Sequence, residues 1–405
     1  MPQNLEAVSP RCAAALSTKA DTAAAVAEVC RAALDQLAKP VDLAVVFFSQ
    51  HHAEHAGVIA ESLCRYLATE NLMGCTGEAI VGGDREIEEG PAISLWLGHF
   101  PKTRVQPLRI EFQSTPDGGL FHGLPDLSEI ASTDHPQSHR TLLLLAEPFS
   151  FPADALLERM QQDTPGLPVL GGMASGGQSP GTNLVLFGPK AYDRGAAAVL
   201  LEGAVRIRSV VSQGCQPIGK PFLVTKCDRN LLLELGRKPA FEQFQEVYKE
   251  LPTSEQSLVQ RGLHVGIAMN EYQDEFSRGD FLVRNVVGAD PETGAIGIGD
   301  FVRVGQTVRF HLRDSKSADE DLRHLLADDQ KTNSADVAGA LLFTCNGRGT
   351  RMFDQPDHDA KVLQELLGNV PVAGFFAQGE IGPVAGRNHL HGFTASVAIV
   401  ESKVP

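Results

Sequence analysis

One pattern occurs three times along the chain: an apolar strand, a helix, a glycine-rich turn and a returning strand. In the first copy, "VDLAVVFFSQ" precedes the helical "EHAGVIAESLCRYLATE", the glycine-rich "LMGCTGEAIVGG" and the strand "PAISLWLGHF". Short continuous apolar runs are typical of buried strands, and apolar residues about 3.6 positions apart are typical of a helix packed on one face. The recurrence therefore predicts sheets that are covered by helices.

The second and third copies keep the same order. The second reads "TLLLLAEPFS", "PADALLERMQQ", "LPVLGGMASGG" and "GAAAVLLEG", and the third reads "GALLFTCNGRG", "DAKVLQELLG", "VPVAGFFAQGEIGPVAG" and "HGFTASVAIV". Gly74, Gly171 and Gly374 take equivalent places in the three copies. Helical crossovers make strands parallel and tight loops make them antiparallel. We therefore predict an α/β to α+β mixed fold with mixed parallel and antiparallel sheets.

The span from 205 to 315 does not follow the repeat. It holds an amphipathic helix in "LLLELGRKPAFEQFQEVYKELP" and then alternating apolar and polar residues in "GIGDFVRVGQTVRFHLRD", which predict hairpin strands. We place a domain boundary near this change of pattern. The expected domains are 20–236 and 237–402.

Composition excludes several classes of function. The 35 Lys and Arg residues against 50 Asp and Glu residues give a formal net charge of −15, which argues against nucleic acid or an anionic membrane surface as a partner. We find no signal-peptide pattern and no run of about eighteen apolar residues, so we expect a cytoplasmic protein. The seven cysteines form no C-x-x-C pair, which disfavours a disulfide framework or a structural zinc site.

The third repeat's first strand ends in a glycine-rich turn that carries polar side chains: Cys345, Asn346, Gly347, Arg348 and Gly349. Ligands of α/β sheets bind beyond the carboxyl ends of strands. The two glycines would let the main chain approach a ligand, and Arg348 could hold a carboxylate or phosphate through two parallel hydrogen bonds. The alternative is a tight turn whose arginine is solvated or paired with an acid.

Cys345 permits a second interpretation of this turn. A thiolate activated by a nearby histidine, such as His358 or His391, would make it a nucleophile. No spacing supports this pairing, and an apolar-flanked cysteine usually packs as a small inert side chain.

A second cluster follows in "FFAQGEIGPVAGRNHLHG". Its candidate ligand-binding residues are Gly374, Gln378, Gly379, Glu380, Arg387 and Asn388. If Glu380 faced the same cavity as Arg348, the carboxylate would bind an ammonium group while the guanidinium bound a carboxylate, which is the complement of a zwitterionic amino acid. Glu380 and Arg387 could instead pair with each other. The equivalent turn of the second repeat adds Gly171, Gly172 and Ser175 beside the cavity.

Two histidine pairs could begin a metal site. His389 and His391 share a strand face, and His51 and His55 are four residues apart on a predicted helix. Neither pair has a clear third ligand. We therefore assign no metal and no cofactor.

Several of these segments together resemble the FIST proteins, which combine a FIST N-terminal and a FIST C-terminal domain. The resemblance runs from about residue 20 to residue 402 and includes "VVFFSQHH", "LPVLGGMASGG", "LLFTCNGRG", "VPVAGFFAQGEIGPV" and "LHGFTASVAIV". The CNGRG turn and the "GFFAQGEIGP" segment are its most specific marks. The resemblance implies a bacterial sensory module that binds small ligands such as amino acids or their derivatives and serves signal transduction.

These observations lead to one function and two rivals. We expect a small polar metabolite, an amino acid or a related anionic or zwitterionic compound, to bind and to be reported to a separate signalling protein. The first rival is an enzyme that uses Cys345 as its nucleophile. The second is a protein-interaction scaffold without a ligand.

Overall fold

The computed structural model describes residues 9–116, 118–125, 138–259, 262–273, 276, 279–333 and 335–402. The chain forms two compact units, the first built from Met1–Val211 and Arg323–Pro405 and the second from Ser212–Leu322. The second unit is thus inserted into the first. These spatial units do not coincide with the expected domains 20–236 and 237–402, whose boundary stays a prediction, because the last repeat packs in the core built by the first two.

The first unit contains three mixed sheets. Its strands are β1 (Arg11–Ser17), β2 (Leu43–Ser49), β3 (Leu72–Gly77), β4 (Ile80–Gly82), β5 (Arg85–Ile87), β6 (Ile93–His99), β7 (Thr103–Thr115), β8 (Gly118–His122), β9 (His139–Ala146), β10 (Val169–Met173), β11 (Val185–Phe187), β12 (Lys190–Tyr192), β13 (Ala196–Gly203) and β14 (Ile207–Ser212). After the insertion come β22 (Val337–Cys345), β23 (Val372–Ala377), β24 (Glu380–Val384), β25 (Arg387–His391) and β26 (Ala395–Glu401).

Each sheet is centred on the strands of one repeat. The sheet orders are β1-β6-β2-β3-β11-β12, β8-β7-β13-β9-β10-β24-β25 and β14-β26-β22-β23-β4-β5. In every sheet the first two strands of the repeat are parallel, namely β2 and β3, β9 and β10, and β22 and β23. The returning strand of the repeat lies antiparallel beside them. The three predicted units and the mixed pairing are confirmed.

The hairpin after each glycine turn pairs with a strand of a different repeat. The hairpin β4–β5 of the first repeat pairs with β23 of the third. The hairpin β11–β12 of the second pairs with β3 of the first, and β24–β25 of the third pairs with β10 of the second. The exchange is cyclic, so each sheet is completed by a neighbouring repeat.

The three equivalent glycines lie opposite their registered partners on the neighbouring parallel strand, where there is no room for a side chain. A side chain at any of them would meet the carbonyl oxygen of its registered partner on the neighbouring strand. The distance from an added Cβ to that oxygen is 2.3 Å for Gly74 and Val46, 1.8 Å for Gly171 and Leu144, and 2.0 Å for Gly374 and Leu342. The repeat is therefore preserved in backbone detail.

One apolar core joins the three sheets. Phe47 stacks on Phe375 with ring centroids 5.0 Å apart, and Phe343 packs edge-on against both. Leu145 of the second repeat belongs to the same core. The helices of the first unit are α1 (Thr22–Leu37), α2 (Ala56–Leu67), α3 (Ala153–Asp163) and α7 (His358–Leu367). Helices α1 and α2 bury their apolar faces against the first sheet, and α3 buries its face against the second.

The second unit is the hairpin-rich segment that the sequence predicted. Its strands are β15 (Cys215–Asp228), β16 (Leu231–Leu235), β17 (Lys238–Pro239), β18 (Leu263–Ala268), β19 (Phe281–Asp290), β20 (Ala295–Ile298) and β21 (Thr307–Arg313). Its helices are α4 (Ala240–Glu250) and α5 (Thr253–Val259), and α6 (Ser315–Thr332) leads back into the first unit. Strand β15 pairs with both β21 and β16, so the sheet closes on itself. Within the described residues, no helix combines the length and apolar character needed to cross a membrane.

Candidate functional site

The carboxyl ends of the three parallel strand pairs meet, and Ser175 links them. Its hydroxyl donates to the carbonyl oxygen of Phe376 in the third repeat and accepts the N–H of Glu78 in the first repeat at 2.8 Å. Its own N–H donates to Thr76 O at 3.1 Å. Because Ser175 is fully buried, these bonds fix the relative positions of all three repeats.

The CNGRG turn lies at the same meeting point. The N–H of Asn346 donates to Ala377 O at 3.1 Å, and the N–H of Gln378 donates to Met173 O at 3.1 Å. The turn and the "GFFAQGEIG" segment therefore converge in space. Gln378 is exposed and Asn346 is half-buried. The Asn346 Oδ1 atom is buried without a hydrogen-bond partner among the described residues.

Arg348 lies beneath this surface and is fully buried. Its Nε donates to Asp359 Oδ2 at 2.6 Å and its Nη2 donates to Asp359 Oδ1 at 2.7 Å. Asp359 also accepts the Thr344 hydroxyl at 2.7 Å, and the Arg348 guanidinium lies over the Phe353 ring. The two parallel bonds that we had assigned to a ligand are therefore made to Asp359. An arginine paired with an acid, our alternative, is the observed arrangement.

The electrostatics of this pair follow from burial and charge together. Burial alone would lower the pKa of Arg348, but the charge and hydrogen bonds of Asp359 outweigh it and raise that pKa. For Asp359, burial would raise the pKa, and the charge of Arg348 instead holds it well below its usual range. Both groups are ionised at neutral pH.

Glu86 joins the same buried cluster from the exchanged hairpin β4–β5. Its Oε1 accepts the Ala360 N–H at 2.9 Å at the start of α7, and its own N–H donates to Asp357 at 2.8 Å. Burial, followed by the charge of Asp359, raises the pKa of Glu86 to about 8. Glu86 therefore carries a proton over most of the neutral range.

Glu380 is fully buried and serves the fold of its own loop. Its Oε2 accepts the N–H of Thr394 at 2.9 Å and the hydroxyl of Thr394 at 2.8 Å. Arg387 and Asn388 lie at the other end of the β24–β25 hairpin, since Glu380 pairs with His391 while Arg387 pairs with Val384. The structure does not bring these two residues to the meeting point, and Glu380 and Arg387 do not face each other.

Asn388 has a structural partner far from the turn. Its Oδ1 accepts the Val169 N–H at 2.9 Å and its Nδ2 donates to Leu167 O at 2.7 Å. The amide thereby fastens the hairpin to the start of β10. Arg387 beside it is exposed.

At several glycines near the turn, a side chain would clash with other parts of the protein. At Gly349, where φ is +60°, an added Cβ would lie 2.7 Å from the Glu88 carboxylate, which accepts the N–H of Thr350 at 2.8 Å. At Gly172 it would lie 3.0 Å from the Ala377 side chain, and at Gly379 it would lie 2.9 Å from Leu390. The N–H of Gly347 donates to Cys345 Sγ at 3.4 Å. Close packing of the chain explains Gly172, Gly349 and Gly379.

The histidines considered as bases have other contacts. His358 Nδ1 lies 2.9 Å from Asp359 Oδ1 while its ring stacks on Phe353 with centroids 3.5 Å apart. His391 Nε2 donates to Gly382 O at 2.9 Å. Throughout the described ranges, no group of three or more His, Cys, Asp or Glu residues is arranged to hold a metal ion.

The sequence analysis did not identify two charged residues at the meeting point, one exposed and one half-buried. The Arg351 guanidinium bonds to the Glu78 carboxylate through Nη2, and its Nη1 donates to Asn346 O at 2.8 Å. The Arg351 side chain is 60% exposed and that of Glu78 26%. We call Glu78, Ser175, Asn346, Arg351 and Gln378 the junction.

The repeat itself contained the signal for Glu78. Ser175 and Gln378 each stand four residues after the equivalent glycine of their repeat, and Glu78 stands four residues after Gly74. Arg351 had no such signal, because it lies in the short helical turn Gly349–Arg351, outside the spacing from the glycine that the three repeats share.

Comparison with known proteins identifies the family of this chain. The FIST N domain matches residues 42–238 and the FIST C domain matches residues 240–383. FIST domains are in general sensory domains of signalling proteins. The uncharacterized protein Rv0628c of Mycobacterium tuberculosis is 42% identical over 385 residues, which cover 95% of this chain and 98% of the relative. The uncharacterized protein Mb0898c of Mycobacterium bovis is 41% identical over 383 residues, covering 94% and 96%. The chain belongs to the FIST family.

Proposed function

We propose that this protein is a cytoplasmic sensor that binds a small zwitterionic or anionic metabolite, an amino acid or a close relative, at the junction. The bound state is then read by a separate signalling protein. The family's general sensory role supports the first half of this proposal. The geometry of the junction supports the choice of ligand.

The observation that carries the proposal is the ion pair at the protein surface between the exposed Arg351 and the half-buried Glu78. A guanidinium and a carboxylate stand side by side, the same guanidinium donates to the backbone carbonyl of the half-buried Asn346, and the nearby Gln378 is exposed. Exposed ion pairs contribute little to stability, about 0 to 1 kcal/mol, so this pair can open at small cost. Its two charges are the complement of an amino acid's carboxylate and ammonium groups.

Binding would exchange one ion pair for two. The ligand's carboxylate pairs with the Arg351 guanidinium, and its ammonium group pairs with the Glu78 carboxylate. The buried Asn346 Oδ1, which accepts no hydrogen bond from the described residues, gains a donor. Leaving such an acceptor unsatisfied costs about 1 to 3 kcal/mol, which the ligand would recover.

Arg348 has a supporting role in this scheme. Its buried pair with Asp359 fixes the turn whose outer face carries Asn346 and Arg351. A rigid support of this kind holds the ligand-facing groups in a productive geometry. The turn glycines and Ser175 contribute in the same way.

The junction also offers a route for the signal. Glu78 belongs to the first repeat, Ser175 to the second and Arg351 to the third. A ligand that separates Glu78 from Arg351 therefore acts on the contact between repeats. A partner protein that recognises the neighbouring surface would sense this change.

A thermal-shift panel tests the proposal. Amino acids, the matching amines without a carboxylate and the matching acids without an amine are compared on the wild type and on Arg351→Gln, with the exposed Arg31→Gln as the matched control. We expect some amino acids or acids to raise Tm in the wild type and Arg31→Gln and to raise it clearly less in Arg351→Gln. A ligand at about a hundred times its Kd adds about 2.7 kcal/mol of stability. A panel without stabilisation would contradict the proposal.

A further inference from the structure

A cleft opens at the carboxyl end of β9, in the second repeat. It has a volume of about 350 Å³. Its lining includes Glu111, Glu147, Phe149, Asp193 and Arg194. None of these residues belongs to the junction.

Glu147 occupies a position that recurs in the three repeats. Its backbone N–H donates to Gly195 O, as that of Ser49 donates to Ala92 O and that of Cys345 donates to Thr394 O. Each of these residues stands at the end of the first strand of its repeat. The three equivalent strand ends thus carry a hydroxyl, a carboxylate and a thiol.

The Glu147 side chain is buried, with 1% of its surface exposed, and only one of its two carboxylate oxygens accepts hydrogen bonds from the described residues. Its Oε2 accepts the N–H of Phe149 at 3.1 Å, the N–H of Ser150 at 2.8 Å and the hydroxyl of Ser150 at 2.6 Å. Its Oε1 is buried and accepts no hydrogen bond from any described residue. A buried carboxylate oxygen without a donor is costly, so a cationic donor arriving from the cleft would be stabilised.

The rest of the lining favours a cation with an apolar body. Three carboxylates (Glu111, Glu147, Asp193) face one lining guanidinium, that of Arg194, which leaves a formal charge of −2. Arg109, just outside the lining, lies 3.4 Å from Glu111 and reduces the charge by one. Phe112 and Phe149 supply aromatic surface, on which methylene groups or a cation can pack.

An organic cation fits the cleft better than a metal ion. Over the parts of the chain that the structure describes, these carboxylates are not among any set of three or more acidic, histidine or cysteine ligands placed to hold a metal. The volume is at the lower end of the range for small-molecule sites, roughly 300 to 1,000 Å³. We propose that this cleft binds an aliphatic diamine or polyamine, with one ammonium group on Glu147 Oε1 and the second near Asp193.

Calorimetry with 1,4-diaminobutane tests this second site in the full chain. The wild type should bind one equivalent, whereas 1,4-butanediol, which has the same length without charge, should not bind. Glu147→Gln should weaken binding by about tenfold or more, and Asp193→Asn, at an exposed carboxylate, by about threefold. Glu61→Gln, an exposed acid on α2, is the matched control and should bind as the wild type does.

If Glu147→Gln disturbs the loop that Glu147 holds, the affinity of Asp193→Asn for the diamine still tests the cleft. Equal affinity in the wild type and both cleft variants would overturn the proposal. So would an absence of diamine binding at millimolar concentration, equal binding of the diol, or stabilisation by calcium with no response to the diamine. The outcome is independent of the junction, because Arg351→Gln should leave diamine binding unchanged.

Discussion

Arg348 and Asp359 form a fully buried ion pair with two parallel hydrogen bonds of 2.6 and 2.7 Å. The pair ties the CNGRG turn to the first turn of α7, where Asp359 lies. The arginine that looked most suited to a ligand is thus part of the support beneath the junction. The groups that face solvent are its neighbours in the turn.

Asp359→Ala should lower the free energy of unfolding by about 3 to 5 kcal/mol, because it leaves the Arg348 guanidinium buried without its counter-charge. The exposed pair of Arg159 and Asp163 on α3 offers the control: Asp163→Ala should cost about 0 to 1 kcal/mol. Urea unfolding of both variants measures the two losses. Equal losses of unfolding free energy would show that the buried pair contributes no more to stability than the exposed pair does.

Glu86 should make stability depend on pH. Its pKa rises from an ordinary value of 4.5 to about 8 in the folded protein, so between these values the folded state keeps a proton that the unfolded state has released. The free energy of unfolding must therefore fall as pH rises through this window and level off above it.

Glu86→Gln isolates this contribution. Glutamine keeps an acceptor for the Ala360 N–H and carries no charge, so the variant should gain stability relative to the wild type as pH increases from 5 to 8. Unfolding measured across this range gives the difference between the two proteins, in which all other titrating groups cancel. Parallel profiles would contradict the assignment of the raised pKa to Glu86.

Ser175→Ala should cost about 1 to 3 kcal/mol, since it removes the acceptor of the Glu78 N–H and the donor to Phe376 O in a buried place. Ser257→Ala is a suitable control, because Ser257 is on the short helix α5 and its hydroxyl bond is exposed. Thermal unfolding should separate the two. A loss no larger than that of Ser257→Ala would remove Ser175 from its role as the link between repeats.

The three equivalent glycines should resist substitution alike. Gly74→Ala, Gly171→Ala and Gly374→Ala each force a methyl group into a backbone carbonyl, and we expect each to lower Tm strongly or to prevent folding. Gly57→Ala, at a position on α2 with open space around it, should be neutral or stabilising by up to about 1 kcal/mol. Expression and Tm of the four variants check this. A well-folded Gly171→Ala, whose glycine also has a φ of +152°, would contradict it most sharply.

The repeats could be predicted from sequence because their signals are local. Apolar runs such as "LAVVFFS" and "TLLLLA", helical periodicity and the three glycines each lie within one repeat. The cyclic exchange of hairpins could not be predicted, since β4 pairs with β23 almost three hundred residues later. No feature of the Ile80–Gly82 sequence indicates which sheet this strand will join.

The candidate site shows the same difference between local signals, which the sequence displays, and contacts between distant residues, which it does not. The sequence analysis considered the convergence of CNGRG with the later glycine loop only as a condition, and the parallel pairing of β22 and β23 brings the two together. The partner of Arg348 did not, because Asp359 lies on the next helix and no sequence pattern distinguishes it from Asp354 or Asp357. Whether a guanidinium faces solvent or the core depends on packing that the sequence does not display. Glu78 was within reach through the spacing of the repeat.

The most direct test of the junction is calorimetry of the most stabilising amino acid from the panel with the wild type and Arg351→Gln, using Arg31→Gln as the control. We predict binding of one equivalent to the wild type and to Arg31→Gln, with affinity reduced by about tenfold or more in Arg351→Gln. Equal affinity in Arg351→Gln and the wild type would show that the ligand binds elsewhere and would contradict the account.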